Sequence, residues 1–314
     1  MRLILISIIV IAAHMLAFEP FFMEDPAISP DGKTVCFSYK KDLWIVPFEG
    51  GTAKRLTSVK GDDSGPVYSP DGKHIAFTTN RDGYGAIYTI PFNGGQAKKV
   101  ISGGFMLTGW FKDSDALLLI KGEWFKGNKL FRVNLDGSGL TDMNALGHYF
   151  GDLSKDNDKF VFCHNGDPFR EKQTGSGNGS LHLLDFATGA YYKIYDSIYT
   201  ERYPVYSKTG RGIYFARSDG ERFQICLLPQ DEIGKQEPAV EQLTDLDWWS
   251  ARDLSIAREN DRMVFEYFDC LWTLDPETKT AAKLEIDIKE DIFGPDTVHD
   301  TAASSTDRFY VSSL

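Results

Sequence analysis

Helical periodicity is nearly absent from this sequence, so neither an all-α nor an α/β fold finds support in its apolar pattern. Basic charge is short as well. The 314 residues carry 34 Lys and Arg against 45 Asp and Glu, a net charge of −11, and no local Lys/Arg cluster offsets it. A nucleic-acid or anionic-membrane partner would want a basic patch, so neither is expected. Cysteine is sparse. Cys36, Cys163, Cys226 and Cys270 stand in no C-x-x-C or Cys/His spacing, which argues against zinc. Each lies in an apolar strand pattern, where a buried thiol is expected. The six histidines show no ligand spacing, and His182 reads as a packed core residue. No Gly-x-Ser-x-Gly elbow and no phosphate loop occurs. The chain is therefore expected to carry no catalytic residue, metal or cofactor of its own.

Long apolar runs are missing except at the start. Arg2 precedes an apolar run from Leu3 to Ala13, too short to span a bilayer comfortably. Small residues follow, and residues 1–17 read as an export signal cut after Ala17. This predicts a periplasmic or extracellular protein with no membrane span once the signal is removed.

What the chain has in quantity is turn chemistry, with 29 Gly and 13 Pro. Ala27-Ile-Ser-Pro-Asp-Gly-Lys-Thr-Val-Cys-Phe37 recurs as Val67-Tyr-Ser-Pro-Asp-Gly-Lys-His-Ile-Ala-Phe77. Pro fixes φ at the first corner of a turn. Asp-Gly supplies an acceptor and a left-handed position, and alternating apolar strands flank it. Aligned on Ser29, further copies start at Ser69, Phe111, Ser154, Ser207 and Ala257, spaced 40, 42, 43, 53 and 50 residues apart. A second strand follows each copy, and Trp44, Tyr88, Phe131, His182, Cys226 and Trp272 share one position in it. Leu43, Ile87, Leu130, Leu181, Ile225 and Leu271 occupy the opposite face. A strand apolar on both faces must lie between two other sheets, as in radially stacked blades. Gly-rich turns such as Glu49-Gly-Gly51 then lead to short polar strands such as Arg55-Leu-Thr57, suited to an exposed edge. The expectation is an all-β six-bladed propeller of four-stranded antiparallel blades over residues 18–284. Residues 285–314 form a tail that either closes the ring or begins a following domain.

The Ser-Pro-Asp-Gly-Lys repeats, followed by Asp42-Leu-Trp-Ile-Val-Pro47 and Arg55-Leu-Thr57, resemble the TolB-type propeller repeat. Glu19-Pro20 with Asp25-Pro-Ala-Ile-Ser-Pro-Asp-Gly32, and Asn80-Arg-Asp-Gly83 after the second Phe, resemble the start of secreted tricorn-like serine peptidases. That resemblance implies a propeller preceding a second propeller, a PDZ domain and catalytic domains, none of whose catalytic positions has a counterpart here. The implied partners are downstream peptidase domains or a peptide substrate. A self-contained TolB-like module of the cell envelope, or the cap of a prolyl-oligopeptidase-like hydrolase, are the other readings. Loops between the second and third strands of each blade should emerge on one rim. Asp82, Tyr84, Trp124, Phe125, Phe169 and Arg170 on them are the candidate binding residues. Asp62-Asp63 reads as a pair of solvated turn residues.

Overall fold

A computed structural model describes residues 22–83, 85–123, 127–147, 150–164 and 178–289. Within them lie six four-stranded antiparallel sheets, each built from one continuous stretch of chain. Blade 1 comprises Glu24–Ile28, Thr34–Tyr39, Asp42–Pro47 and Lys54–Arg55, and blade 2 Asp63–Tyr68, His74–Thr79, Ala86–Pro91 and Lys98–Ile101. Blade 3 comprises Met106–Trp110, Ala116–Glu123, Gly127–Asn134 and Thr141–Gly147, and blade 4 Gly151–Leu153, Lys159–His164, Ser180–Asp185 and Ala190–Tyr195. Blade 5 comprises Glu201–Tyr206, Gly212–Ser218, Phe223–Pro229 and Glu241–Gln242, and blade 6 Arg252–Ile256, Met263–Tyr267, Cys270–Asp275 and Thr280–Lys283. The chain is the expected all-β, six-bladed propeller, with no helix among the described residues. None of them forms a helix long and apolar enough to cross a membrane.

The repeated turn works as its residues require. The Ser29 hydroxyl donates to Asp31 Oδ1 at 2.7 Å and accepts from the Thr34 N–H at 3.0 Å, while Gly32 sits at φ +73°. Ser69, Asp71, His74 and Gly72 repeat this in blade 2. Ser114, Asn157 and Gly210 hold the same left-handed position in blades 3 to 5. In blade 6 it moves on by one residue to Asp261. Small or Asx residues tolerate that region, which explains why the motif loses its letters and keeps its shape.

Burial follows the two-faced pattern. Six apolar clusters are present, each joining neighbouring blades. Trp44 and Val46 pack towards blade 6 with Val264 and Leu271, whereas Leu43 packs towards blade 2 with Ile75 and Phe77. Trp44 and Tyr88 are buried; Trp272 is half-buried. Fourth strands such as Lys54–Arg55 and Glu241–Gln242 are exposed, as an edge should be.

Blade 6 meets blade 1 through side chains and loops. The Ile28 N–H donates to Ser255 Oγ at 3.2 Å, the Glu259 N–H to the Pro30 carbonyl at 3.0 Å, and Asn260 Nδ2 to the Asp31 carbonyl at 3.0 Å. Beyond blade 6, Ile286–Asp287 pairs in parallel with Gly51–Thr52 on blade 1.

Candidate functional site

The first strand of every blade faces the axis. In blades 1, 2, 3, 5 and 6 the register of this strand shifts at a bulge, and in all of these but blade 3 one residue beside it takes a left-handed φ: Asp25 at +51°, Gly65 at +58°, Tyr203 at +50° and Asp253 at +43°. A bulge re-aims the side chain that follows it. The first strands together enclose an axial cavity of about 310 Å³, with Asp25, Gly65, Leu107, Phe150, Tyr203 and Asp253 at one level. Pro30, Pro70, Lys208 and Arg258 lie five residues further along, towards the opposite mouth.

The two mouths differ in charge. At the first, Asp25 Oδ2 accepts from the Ser38 hydroxyl and from the Gly65 N–H, both at 3.0 Å. Asp253 and Glu266 are half-buried beside it. Burial pushes both carboxyls up; repulsion by Asp25 adds to it for Asp253, and repulsion by Asp253 for Glu266. At the other mouth the Lys208 ammonium is paired with Asp152 Oδ2 at 2.6 Å and also donates to the Leu153 carbonyl. The Tyr206 N–H donates to the same Asp152 oxygen at 2.9 Å. Burial lowers the pKa values of Lys208 and of Arg258. The cavity thus has carboxyls at one end and, at the other, Arg258 beside the Lys208–Asp152 ion pair. That arrangement can hold and orient a short polar chain, and none of the described residues lining it is an activated nucleophile. Burial pushes the Cys163 and Cys226 thiols up, to about 12 and about 11, so neither is a thiolate at neutral pH. Among the described residues no cluster of His, Cys, Asp or Glu is arranged to hold a metal.

A family model for the tricorn protease N-terminal β-propeller domain matches residues 20–280. The chain belongs to that family. Tricorn protease homolog 1 of Streptomyces coelicolor is 36% identical over 93 residues, which is 29% of this chain and 9% of that protein. The crystal structure of tricorn protease superposes with a TM-score of 0.72 at 21% identity, covering 86% of this chain and 27% of the larger one. TolB from Acinetobacter baumannii gives 0.57 at 16% identity, over 84% of this chain and 66% of its own. The last two likenesses show the fold. The chain spans well under two thirds of the tricorn-type proteins it matches.

In this tricorn-type propeller the loops between second and third strands and the connections from each fourth strand to the next first strand share one rim, because the strands alternate direction. Of the residues expected to bind there, Asp82 is exposed at the rim. It accepts from the Tyr88 hydroxyl and pairs with Lys99 at 3.1 Å. The Tyr88 and Lys99 bonds hold its carboxyl below the usual range. Tyr84, Trp124, Phe125, Phe169 and Arg170 lie outside the described residues. Asp63 departs from its reading as a solvated turn residue. It opens the first strand of blade 2, is 1% exposed, and pairs with Arg81 at 2.5 Å; Asp62 stays exposed. His182 is half-buried, with its ring 4.8 Å from His164, and burial lowers its pKa to about 4. Phe22, Val59, Ile198 and Trp248, outside the expected binding residues, are all strongly exposed on this rim. Each precedes the first strand of a blade, and that position is the sequence signal that marks them. The axial charges Lys208 and Arg258 occupy the Pro30 position of their repeats, which the turn pattern hides.

Proposed function

We propose that this propeller is the non-catalytic scaffold of an exported tricorn-like serine peptidase and gates the passage of peptides to or from it. The family match carries the scaffold part, and the axial cavity, bounded by a strand from every blade, supports the gate. Acyl transfer by a nucleophilic Ser would take place in other domains of the longer polypeptide. The apolar residues standing proud on one rim suit docking of those domains. Residues 1–17 would direct export and be removed.

Gly109 tests the gate. It lines the cavity, has an ordinary backbone conformation, and has open space where a side chain would go. Gly109→Trp in the full-length polypeptide should leave the fold intact and reduce hydrolysis of long peptides more than of dipeptide reporters. Equal turnover of both, with the propeller still folded, overturns the gate. Loss of hydrolysis on deleting residues 20–284, with catalytic domains that still fold, would support the scaffold.

A further inference from the structure

Blades 1 and 6 carry the same hairpin. Tyr39-Lys40-Lys41-Asp42 and Tyr267-Phe268-Asp269-Cys270 each place both central residues at left-handed φ, at +49° and +71° in blade 1 and +49° and +54° in blade 6. Each turn stands over a Tyr–Trp pair set edge to face. Tyr39 and Trp44 are 6.1 Å apart at 74°, and Tyr267 and Trp272 are 5.0 Å apart at 76°. In blade 1 the Lys40 ammonium lies 5.4 Å from the Tyr39 ring. In blade 2 the Arg81 guanidinium lies over both Phe77 and Tyr88 while paired with Asp63. The chain thus supplies these two aromatic pairs with a cation of its own.

Blade 6 differs. Phe268 stands where blade 1 has Lys40, and an aromatic residue at positive φ is strained by about 1–3 kcal/mol. Its ring packs 4.1 Å from Trp248 and 5.6 Å from Trp249. Among the described residues no cation lies over Trp248, Trp249 or Phe268. Trp248 is 63% exposed and overhangs an open cleft between blades 5 and 6, floored by Tyr267 and Trp272. Asp245 and Asp247 line the same cleft and are exposed. Its Lys279 is already paired with Glu241 at 2.8 Å. The Tyr267 hydroxyl accepts from the Trp248 N–H at 3.2 Å and donates to Asp247 Oδ1 at 3.4 Å, which ties the aromatic edge to the carboxylate.

We propose that this cleft binds a polypeptide segment through an arginine or lysine side chain, the cation seated between the Trp248–Phe268 rings and the Asp245 and Asp247 carboxylates. Ring faces attract cations, and two carboxylates with no spare ammonium give the cleft the complementary charge. The site lies off the axis, and the proposal does not depend on the peptidase reading.

The test uses the full chain with acetyl-Gly-Arg-Gly-amide and its uncharged isostere, acetyl-Gly-citrulline-Gly-amide. The readout is the indole N–H resonance of Trp248, assigned by its loss in Trp248→Phe. The arginine peptide should shift that resonance saturably and bind at least tenfold more tightly than the citrulline peptide. Raising the salt should weaken it. Asp245→Asn with Asp247→Asn alters only exposed carboxyls and should weaken binding about tenfold. Phe268→Gly relieves the strained φ, so the fold should stay intact while binding is lost. Equal shifts from the citrulline peptide, stronger shifts from an oligosaccharide such as chitotetraose, or no shift at millimolar arginine peptide would each overturn the proposal.

Discussion

The backbone N–H of Asp25 donates to Oε1 of Glu266 at 2.7 Å, across the seam where the sixth blade meets the first and 241 residues apart in sequence. The bond is made by a carboxyl that burial keeps protonated well above the usual range. Glu266→Gln keeps the acceptor and removes the ionisable group, so at pH 8 it should be as stable as the parent or more so. Glu266→Leu leaves the Asp25 N–H without that partner and should lose about 1–3 kcal/mol. Urea unfolding of both variants decides the matter. Equal destabilisation by both would show that the seam does not depend on this bond.

Stability should fall as pH rises from weakly acidic to alkaline. Burial pushes the Glu201 carboxyl up to about 7, and Asp253 and Glu266 are raised as well. A carboxyl with a higher pKa folded than unfolded binds more protons in the folded state between those two values, so unfolding becomes easier with rising pH across that window. For Glu201 the window runs from about 4.3 to the raised value. Two groups act in the opposite sense: Asp158, held low by its bonds to Lys159 and Ser154, in stronger acid, and His182, lowered by burial to about 4, up to its ordinary value near 6.5, so the decline should be steepest above that pH. Denaturant titrations should show a decline between pH 5 and 8, made shallower by Glu201→Gln and shallower still when Glu266→Gln is added. A rise over that range would refute the assignment.

Glycines at positive φ should not be equivalent. At Gly72, φ +70°, an added Cβ would meet only the Pro30 ring, at 3.6 Å from Cδ and 3.8 Å from Cγ, so Gly72→Ala should cost about 1–2 kcal/mol from backbone strain. At Gly212, φ +139°, the same atom would collide with the Leu228 carbonyl oxygen and the Gln230 nitrogen. Gly212→Ala should cost at least about 3 kcal/mol or prevent folding. Thermal unfolding of the two variants side by side tests the ranking.

Arg81 links three groups. Its guanidinium lies 5.4 Å from the Phe77 ring centre and 5.0 Å from that of Tyr88, and it pairs with the buried Asp63. Arg81→Met should cost about 3–5 kcal/mol by leaving that carboxylate buried without its cation. Adding Asp63→Asn should restore much of the loss. A double-mutant cycle with no coupling would count against the pairing.

The architecture was legible because one physical pattern was written six times: a turn with a left-handed corner, then a strand apolar on both faces. The turn persists at Ser114 and Asn157 because the backbone asks for a conformation that several residues can adopt. The axis was harder to read. Asp25, Gly65, Leu107, Phe150, Tyr203 and Asp253 share one level of the cavity yet mix carboxyl, aromatic, aliphatic and bare backbone, so no single residue type marks the position. Asp63 misled because an Asp beside another Asp resembles a solvated turn, while its partner Arg81 is 18 residues away. Trp248 and Trp249 lie on a connection between blades, so attention to loops within blades misses them.

Because each sheet is made from one unbroken stretch, a blade can complete itself as soon as its own fourth strand leaves the ribosome. Five of the six junctions can therefore form in the order of synthesis. The sixth must wait until nearly all of the described chain has emerged, which leaves the first-blade face of Met23, Phe37 and Val46 exposed for longest during translation.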